Sequence, residues 1–314
     1  MNEQMKPFIS VVSPVYGAEL TISMLVERIV TELSLITQNF EIVLVEDASP
    51  DNSWSEIIRA CEKEKRVKGV KLSRNFGQHK AITAGLAMAK GDFIIVMDCD
   101  LQDDPVYIPE LLNKAKEGFD IVYTLKKVRK HNFFKNVMTK FFNRVFNFLV
   151  ETKRLKAHGL VGAYSLITRK VVNEFLRYGD HRRHYLMVLR WLGFSYSFIN
   201  IEHKERYAGH SSYNLSKLIS HAVDGITSQS DKVLLLTVYS GFFMAFASMM
   251  TGVFVIVLYF IHGFQSGWAS LAVLILFSSG IIITTVGIVG VYVGRTFEQA
   301  KGRQLFIIDK TINV

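Results

Sequence analysis

The chain has 314 residues, 49% of them hydrophobic, with 37 Lys and Arg against 28 Asp and Glu, a formal net charge of +9. Its two cysteines, Cys61 and Cys99, lack metal-type spacing, which argues against a disulfide scaffold or a thiolate metal site and suits a reducing compartment. The first residues carry no apolar stretch of the kind found in a cleavable signal peptide, and the basic balance fits either nucleic acid or an anionic membrane surface.

In chain order, residues 8–13 read as a first strand that ends at Pro14-Val15-Tyr16, followed by a helix over about 20–35. Residues 40–45 form a second strand ending in Glu46-Asp47, and the turn chemistry of 48–53 caps a helix that begins at Trp54. A third strand spans 67–72, leading through Ser73-Arg74-Asn75-Phe76-Gly77 into a small-residue helix over 81–89. Strands alternating with helices predict an α/β fold, a doubly wound and mostly parallel sheet with its site in the strand-end loops.

A fourth strand, Phe93-Ile94-Ile95-Val96, is apolar on both faces and runs directly into Met97-Asp98-Cys99-Asp100-Leu101-Gln102. Two carboxylates spaced i, i+2 at the carboxyl end of a buried strand repel one another unless something positive lies between them. Mg²⁺ or Mn²⁺ carrying a diphosphate meets that requirement, because these cations prefer oxygen ligands shared between carboxylates and phosphates.

Residues 126–150 interleave Lys126, Lys127, Arg129, Lys130, Lys135, Lys140 and Arg144 with six phenylalanines and no acid. On a helix this is a basic, aromatic surface suited to a membrane interface; a nucleic-acid groove is the other reading, and the nearby hairpin favours the bilayer. Between Lys232 and Arg295 the chain has no Asp, Glu, Lys or Arg, long enough for two membrane spans, expected near 234–261 and 269–293. Basic residues flank this pair and none lies in the connecting loop, which predicts a multi-pass protein of the inner, cytoplasmic membrane with both termini inside. The expected division is a cytoplasmic domain over 1–231 and a hairpin with a short tail over 232–314. Gly280, Gly287, Gly290 and Gly294 permit close helix packing, between subunits of a homo-oligomer or within the hairpin.

Taken together these residues resemble the polyprenyl-phosphate glycosyltransferases of the family 2 GT-A class, over nearly the whole chain. The resemblance rests on Ser13-Pro14-Val15-Tyr16 with Glu19, on Val45-Glu46-Asp47-Ala48-Ser49-Pro50-Asp51, on Arg74-Asn75-Phe76-Gly77 and on Met97-Asp98-Cys99-Asp100-Leu101-Gln102-Asp103. It continues through Arg206-Tyr207-Ala208-Gly209 with Ser211 and Tyr213, Asp224-Gly225-Ile226-Thr227-Ser228, and Tyr292-Val293-Gly294-Arg295-Thr296. It implies a GT-A domain followed by a membrane hairpin, acting on a nucleotide-diphosphate sugar, a UDP-sugar first, and a polyprenyl phosphate. Pro14, Tyr16, Glu19 and Asp47 would hold the nucleoside, and Cys99 lies among the donor contacts. Asp98, Asp100 and Gln102 would hold Mg²⁺ or Mn²⁺, with Arg206 and Lys217 at the phosphates and Asp100 and Arg206 carrying the catalysis. The product would be an inverted, lipid-linked sugar for cell-envelope glycans.

The chain departs from the family pattern at 158–165. His158-Gly159-Leu160-Val161 stands where acidic residues, among them a proposed general base, are usual, and Ser165 replaces an arginine that would contact phosphate. A phosphate monoester, with a second pKa near ~6, is already largely anionic at neutral pH and hardly needs a base. His158 and the cluster His181-Arg182-Arg183-His184 are what the sequence offers in place of the missing charge, a solvated helix start being the equal reading of that cluster. Two other functions fit: a processive polysaccharide synthase, whose Gln-x-x-Arg-Trp motif lacks its Gln at Met187-Val188-Leu189-Arg190-Trp191, and a non-catalytic nucleotide-sugar-binding membrane protein.

Overall fold

The computed structural model describes residues 7–126, 160–181, 183–202, 232–262 and 267–314. The basic, aromatic segment up to residue 150, His158, Arg182, Arg206, Lys217 and the motif around Asp224 lie outside the described residues.

The first half follows the alternation expected from sequence. Strands β1 (Ile9–Val15), β2 (Phe40–Glu46), β3 (Val67–Leu72) and β4 (Phe93–Val96) are joined by helices α1 (Ile22–Ser34), α2 (Ser53–Lys63) and α3 (Gln78–Met88). β1 pairs in parallel with both β2 and β4, and β2 with β3. The chain continues through a single 3-10 turn, Pro105–Tyr107, to α4 (Ile108–Lys116), β5 (Ile121–Lys126), β6 (Leu160–Thr168), α5 (Arg169–Arg177), α6 (Tyr185–Leu192) and β7 (Tyr196–Ile201). β6 runs antiparallel between β4 and β5, and β7 adds in parallel outside β5.

The strand order is β7-β5-β6-β4-β1-β2-β3-β8. Its last member, β8 (Ile308–Ile312), corrects the expectation of a bare tail after the long helices: it pairs antiparallel with β3. Asn313 secures it, its side-chain amide donating to the carbonyls of Cys61 at 2.9 Å and Val67 at 3.0 Å. Apolar residues at only its two ends, with Asp309, Lys310 and Thr311 exposed between them, make a polar edge strand that discourages further pairing.

Apolar side chains fill both faces of the sheet. One core takes Ile22, Leu25, Ile29 and Leu33 of α1, Ile57 of α2 and Leu111 of α4; the other takes Ala81 and Leu86 of α3, Phe175 of α5 and Tyr185 of α6. α3 lies very close to the sheet, because a Cβ on Gly85 would stand 2.3 Å from Val12 Cγ1. Burial of this kind contributes about 25 cal/mol per Å² of apolar surface and dominates the stability of the sheet.

At the amino end of β1 and β2 the sheet buries a charge. Glu41, 2% exposed, accepts from Ser10 Oγ at 2.6 Å, from Lys68 Nζ at 2.6 Å and from the Lys90 amide at 2.5 Å. Burial alone would raise its pKa, but the bonds from Lys68, Ser10 and Lys90 and the Lys68 charge together hold it below the ordinary range.

Among the described residues, the second unit holds two helices, α7 (Lys232–His262) and α8 (Trp268–Ala300). At 1.5 Å per residue each exceeds the ~30 Å of a bilayer core. Windows over Leu234–Thr251 and Phe277–Ala300 have mean hydropathies of 1.6 and 1.8. Large apolar side chains such as Phe242, Phe260 and Ile283 are more than two-thirds exposed. α8 runs past the end expected at 293, because charged residues in its last turns do not interrupt a helix; Gly302, at φ +57°, follows its end in the left-handed conformation.

Candidate active site

The site forms where the chain reverses its direction of travel across the sheet. From β1 it proceeds to β2 and β3 on one side, and β4 lies on the other, so the crevice between the carboxyl ends of β1 and β4 is a topological switch point. The β1–β4 register runs to Val12 and Val96, and the next bond is from the Met97 amide to the Val12 carbonyl at 3.1 Å. Pro14 has no N–H to continue this ladder, so the two strands part and their loops open on either side.

On the β4 side the alternation of the strand persists. Met97, Cys99 and Leu101 point into the core, whereas Asp98, Asp100 and Gln102 are partly exposed. The turn is tightened by the Gln102 amide, which donates to Asp100 Oδ1 at 3.1 Å, and by Leu101 at φ +61°. Cys99 was expected among the donor contacts, but its side chain is buried and its thiol is pushed up to about 12 by desolvation, so only its main chain can serve the site. Its carbonyl accepts from Thr21 Oγ1 at 2.8 Å, tying this turn to the first loop.

On the β1 and β2 side, Asp47 follows directly on β2 and is 3% exposed. Its two carboxylate oxygens accept from the amides of Phe76 at 2.7 Å and Gly77 at 2.8 Å. Gly77 has φ +92° and ψ 152°, a conformation that only glycine adopts readily, and it presents these amides just before α3. Desolvation raises the Asp47 pKa, with a further push from Glu46, while the two amides and Arg74 oppose it. Ala48 also has a positive φ, of 51°, so each side of the crevice carries one left-handed non-glycine residue.

The remaining expected nucleoside contacts occupy the first loop. Tyr16 is 53% exposed and its ring is free to stack, whereas Pro14 is buried within β1. Glu19 braces the two loops: its carboxylate accepts from the Asn52 amide at 3.0 Å, and its own amide donates to Asp51 Oδ2 at 3.1 Å. The structure therefore brings Pro14, Tyr16, Glu19, Asp47, Asp98, Asp100 and Gln102 to one end of the sheet.

Asp98, Asp100 and Gln102 offer oxygen donors only, the chemistry that suits Mg²⁺ or Mn²⁺. Among the described residues no three His, Cys, Asp or Glu side chains gather into a cage. The residues fit an ion that completes its coordination with water and phosphate oxygens, the usual habit of Mg²⁺.

The departure from the family pattern has a structural counterpart. Ser165 pairs with Val96 across β4–β6, and its hydroxyl meets Tyr185 Oη at 2.9 Å and the Ala163 carbonyl at 2.9 Å. Both side chains are fully buried, so this pair is a neutral core contact and binds no phosphate. Arg183, expected as substitute charge, is spent elsewhere: its guanidinium donates to the carbonyls of Phe175, Leu176, Tyr178 and Asp180, closing the end of α5. His184 instead packs against His79 of α3, ring centroids 4.0 Å apart and planes tilted by 45°.

Two contacts escaped sequence reasoning. The amides of Phe76 and Gly77 on Asp47 are one, and the side chain of Gln78, which donates to Asp98 Oδ1 at 2.7 Å, is the other. The glycine before a small-residue helix was the available signal for the first; nothing in sequence marked the second.

The model of glycosyl transferase family 2 matches residues 10–176. Over 309 residues the chain is 36% identical to the glycosyltransferase YkcC of Bacillus subtilis, covering 97% of this chain and 94% of that one. It is 32% identical over 312 residues to an undecaprenyl-phosphate 4-deoxy-4-formamido-L-arabinose transferase of Yersinia enterocolitica, covering 97% and 93%. A mycobacterial protein of known crystal structure shares the fold, with a TM-score of 0.50 and 17% identity over 70% of this chain and 73% of that one.

Proposed function

This chain belongs to glycosyl transferase family 2, and on that premise we propose that it moves one sugar from a nucleotide-diphosphate sugar, a UDP-sugar first, to a polyprenyl phosphate at the cytoplasmic face of the membrane. The observation that carries this reading is the pair of carboxylate groups flanking the β1–β4 crevice, Asp47 on one side and Asp98 with Asp100 on the other. The named activity of the Yersinia relative, similar along almost the whole chain, supports the lipid acceptor.

In this reading Asp47 accepts from the donor's nucleoside while Tyr16 stacks on its base. Asp98, Asp100 and Gln102 hold Mg²⁺ or Mn²⁺, which when bound supplies Lewis-acid stabilisation of the departing diphosphate. An oxygen of the acceptor phosphate forms the new bond to the anomeric carbon from the face opposite the diphosphate. The old C–O bond breaks, its electron pair leaving on the β-phosphate oxygen, so an α-linked donor gives a β-linked product. The acceptor phosphate arrives as an anion, and the chain's lack of an acid at 158–165 is consistent with a nucleophile that requires no base. Arg206 and Lys217 are proposed to meet the phosphates.

α7 and α8 are proposed to span the bilayer as a hairpin. Because β8 is hydrogen-bonded into the sheet, the chain returns to the sheet after both helices, which supports an even number of crossings.

Full-length protein in detergent, given undecaprenyl phosphate, Mn²⁺ and a panel of UDP-, GDP- and dTDP-sugars, tests the reading by mass spectrometry of the lipid fraction. A single-sugar lipid phosphate from one donor is expected, lost by at least about 100-fold in Asp100→Asn. Long polymer, or bound nucleotide with no product from any donor, would overturn it.

A further inference from the structure

Three consecutive residues hold both halves of the site. The amides of Phe76 and Gly77 grip the two oxygens of Asp47, and the next residue, Gln78, extends its side-chain amide to Asp98 Oδ1 at 2.7 Å. A carboxylate only accepts, so the bond must be donated by the Gln78 amide nitrogen.

This turn is itself fixed from below. Gly77 begins α3 through its carbonyl, which accepts from the amides of Lys80 at 3.0 Å and Ala81 at 3.1 Å. α3 is seated on β1 and β2 through Gly85, where no larger residue fits. The short link from Asp47 through 76–78 to Asp98 therefore runs through the start of α3, a helix packed directly against β1 and β2.

We infer that the turn 76–78 is the element that sets the spacing between the nucleoside-binding and diphosphate-binding carboxylates, with Gln78 as the positioning residue of Asp98. The inference rests on the reading of Asp98 and Asp100 as holders of the diphosphate-bound cation. An outer partner that orients a ligating carboxylate commonly changes metal affinity by about 10- to 100-fold when removed. By donating to Oδ1, Gln78 restrains the orientation of the Asp98 carboxylate. Gln78 is exposed, so its replacement leaves the cores untouched.

The test uses full-length protein in detergent with UDP as the probe nucleotide, and Mn²⁺ binding read from the loss of the free-ion electron paramagnetic resonance signal. Wild-type protein binds Mn²⁺ in the presence of UDP, and Asp100→Asn abolishes that binding. Gln78→Leu, similar in size but unable to donate, weakens Mn²⁺ binding by about 10- to 100-fold while UDP affinity measured in a chelator stays unchanged. Gln78→Asn, which keeps the amide but is one methylene too short, behaves like the leucine variant. If Gln78→Leu binds Mn²⁺ as tightly as wild type, or more tightly, the positioning role is overturned and the cation reading stands. If Asp100→Asn retains Mn²⁺ binding, or wild type never binds it, the cation reading fails and the inference falls with it.

Discussion

Glu41 and Asp47 lie near opposite ends of one strand, both carboxylates are almost completely buried, and they behave in opposite ways. Glu41 has an ammonium at 2.6 Å and two further donors, and its pKa is held down. Asp47 receives two backbone amides and stands beside Glu46, and its pKa is raised. The first carboxylate is neutralised within the fold and has a structural role. The second has two amide dipoles and the Arg74 charge, which do not offset its burial, a condition that a ligand's N–H and O–H donors would improve.

The sharpest way to break this contrast is Glu41→Ala. It strands the Lys68 ammonium, only 13% exposed, and should lower unfolding free energy by about 3–5 kcal/mol in denaturant titration. Nucleotide affinity of the protein that remains folded should not change. Asp47→Asn should differ by acting on binding as well. UDP affinity by calorimetry should fall by about 10-fold or more, since a hydrogen bond to a charged group is worth about 1.5–3 kcal/mol. Stability should fall by about 1–3 kcal/mol, because one of the two backbone amides then faces an amide nitrogen that cannot accept.

Acidification should separate the two carboxylates again. Glu41, with its lowered folded-state pKa, adds stability above its unfolded value and loses it as pH falls through the folded value. Asp47 has a raised folded-state pKa, so its contribution to stability declines as pH rises from the unfolded value through the folded one. The charged form proposed to grip the nucleoside is populated above that raised value. Donor affinity should therefore weaken at a pH where ordinary aspartates are still ionised, and Asp47→Asn should flatten that part of the profile. The smallest effect is expected from Ala48→Gly, which relieves the left-handed backbone beside Asp47 and should raise stability by under about 1 kcal/mol.

Much of the parallel half of the fold was legible because its strands are rich in Val, Ile and Leu and are separated by turn and helix signals, and Phe93–Val96 leading into Asp98 and Asp100 pointed to the candidate site. β5, β6 and β7 were harder to read, since β5 and β6 join through a long intervening segment and pair antiparallel, which no local period reveals. β8 was invisible because Ile-Asp-Lys-Thr-Ile has too little apolar content to signal a strand; its partner decides its conformation. The Asp47–Gly77 and Gln78–Asp98 bonds depend on how α3 seats against the sheet, and that depends on Gly85 meeting Val12. Ser165 was legible as a departure but not as a buried partner of Tyr185, because that neighbour is supplied by the packing of α6 against β6.

β8 also imposes an order on synthesis. Residues 308–312 are made only after both long helices, yet they cover the outer edge of β3, a strand of the first unit to emerge. Until then that edge presents unpaired amides and carbonyls to whatever strand is nearby. A chain interrupted anywhere within the helical segment therefore carries an incomplete sheet. Completion of the catalytic domain in this way reports that the whole of the intervening segment has been made.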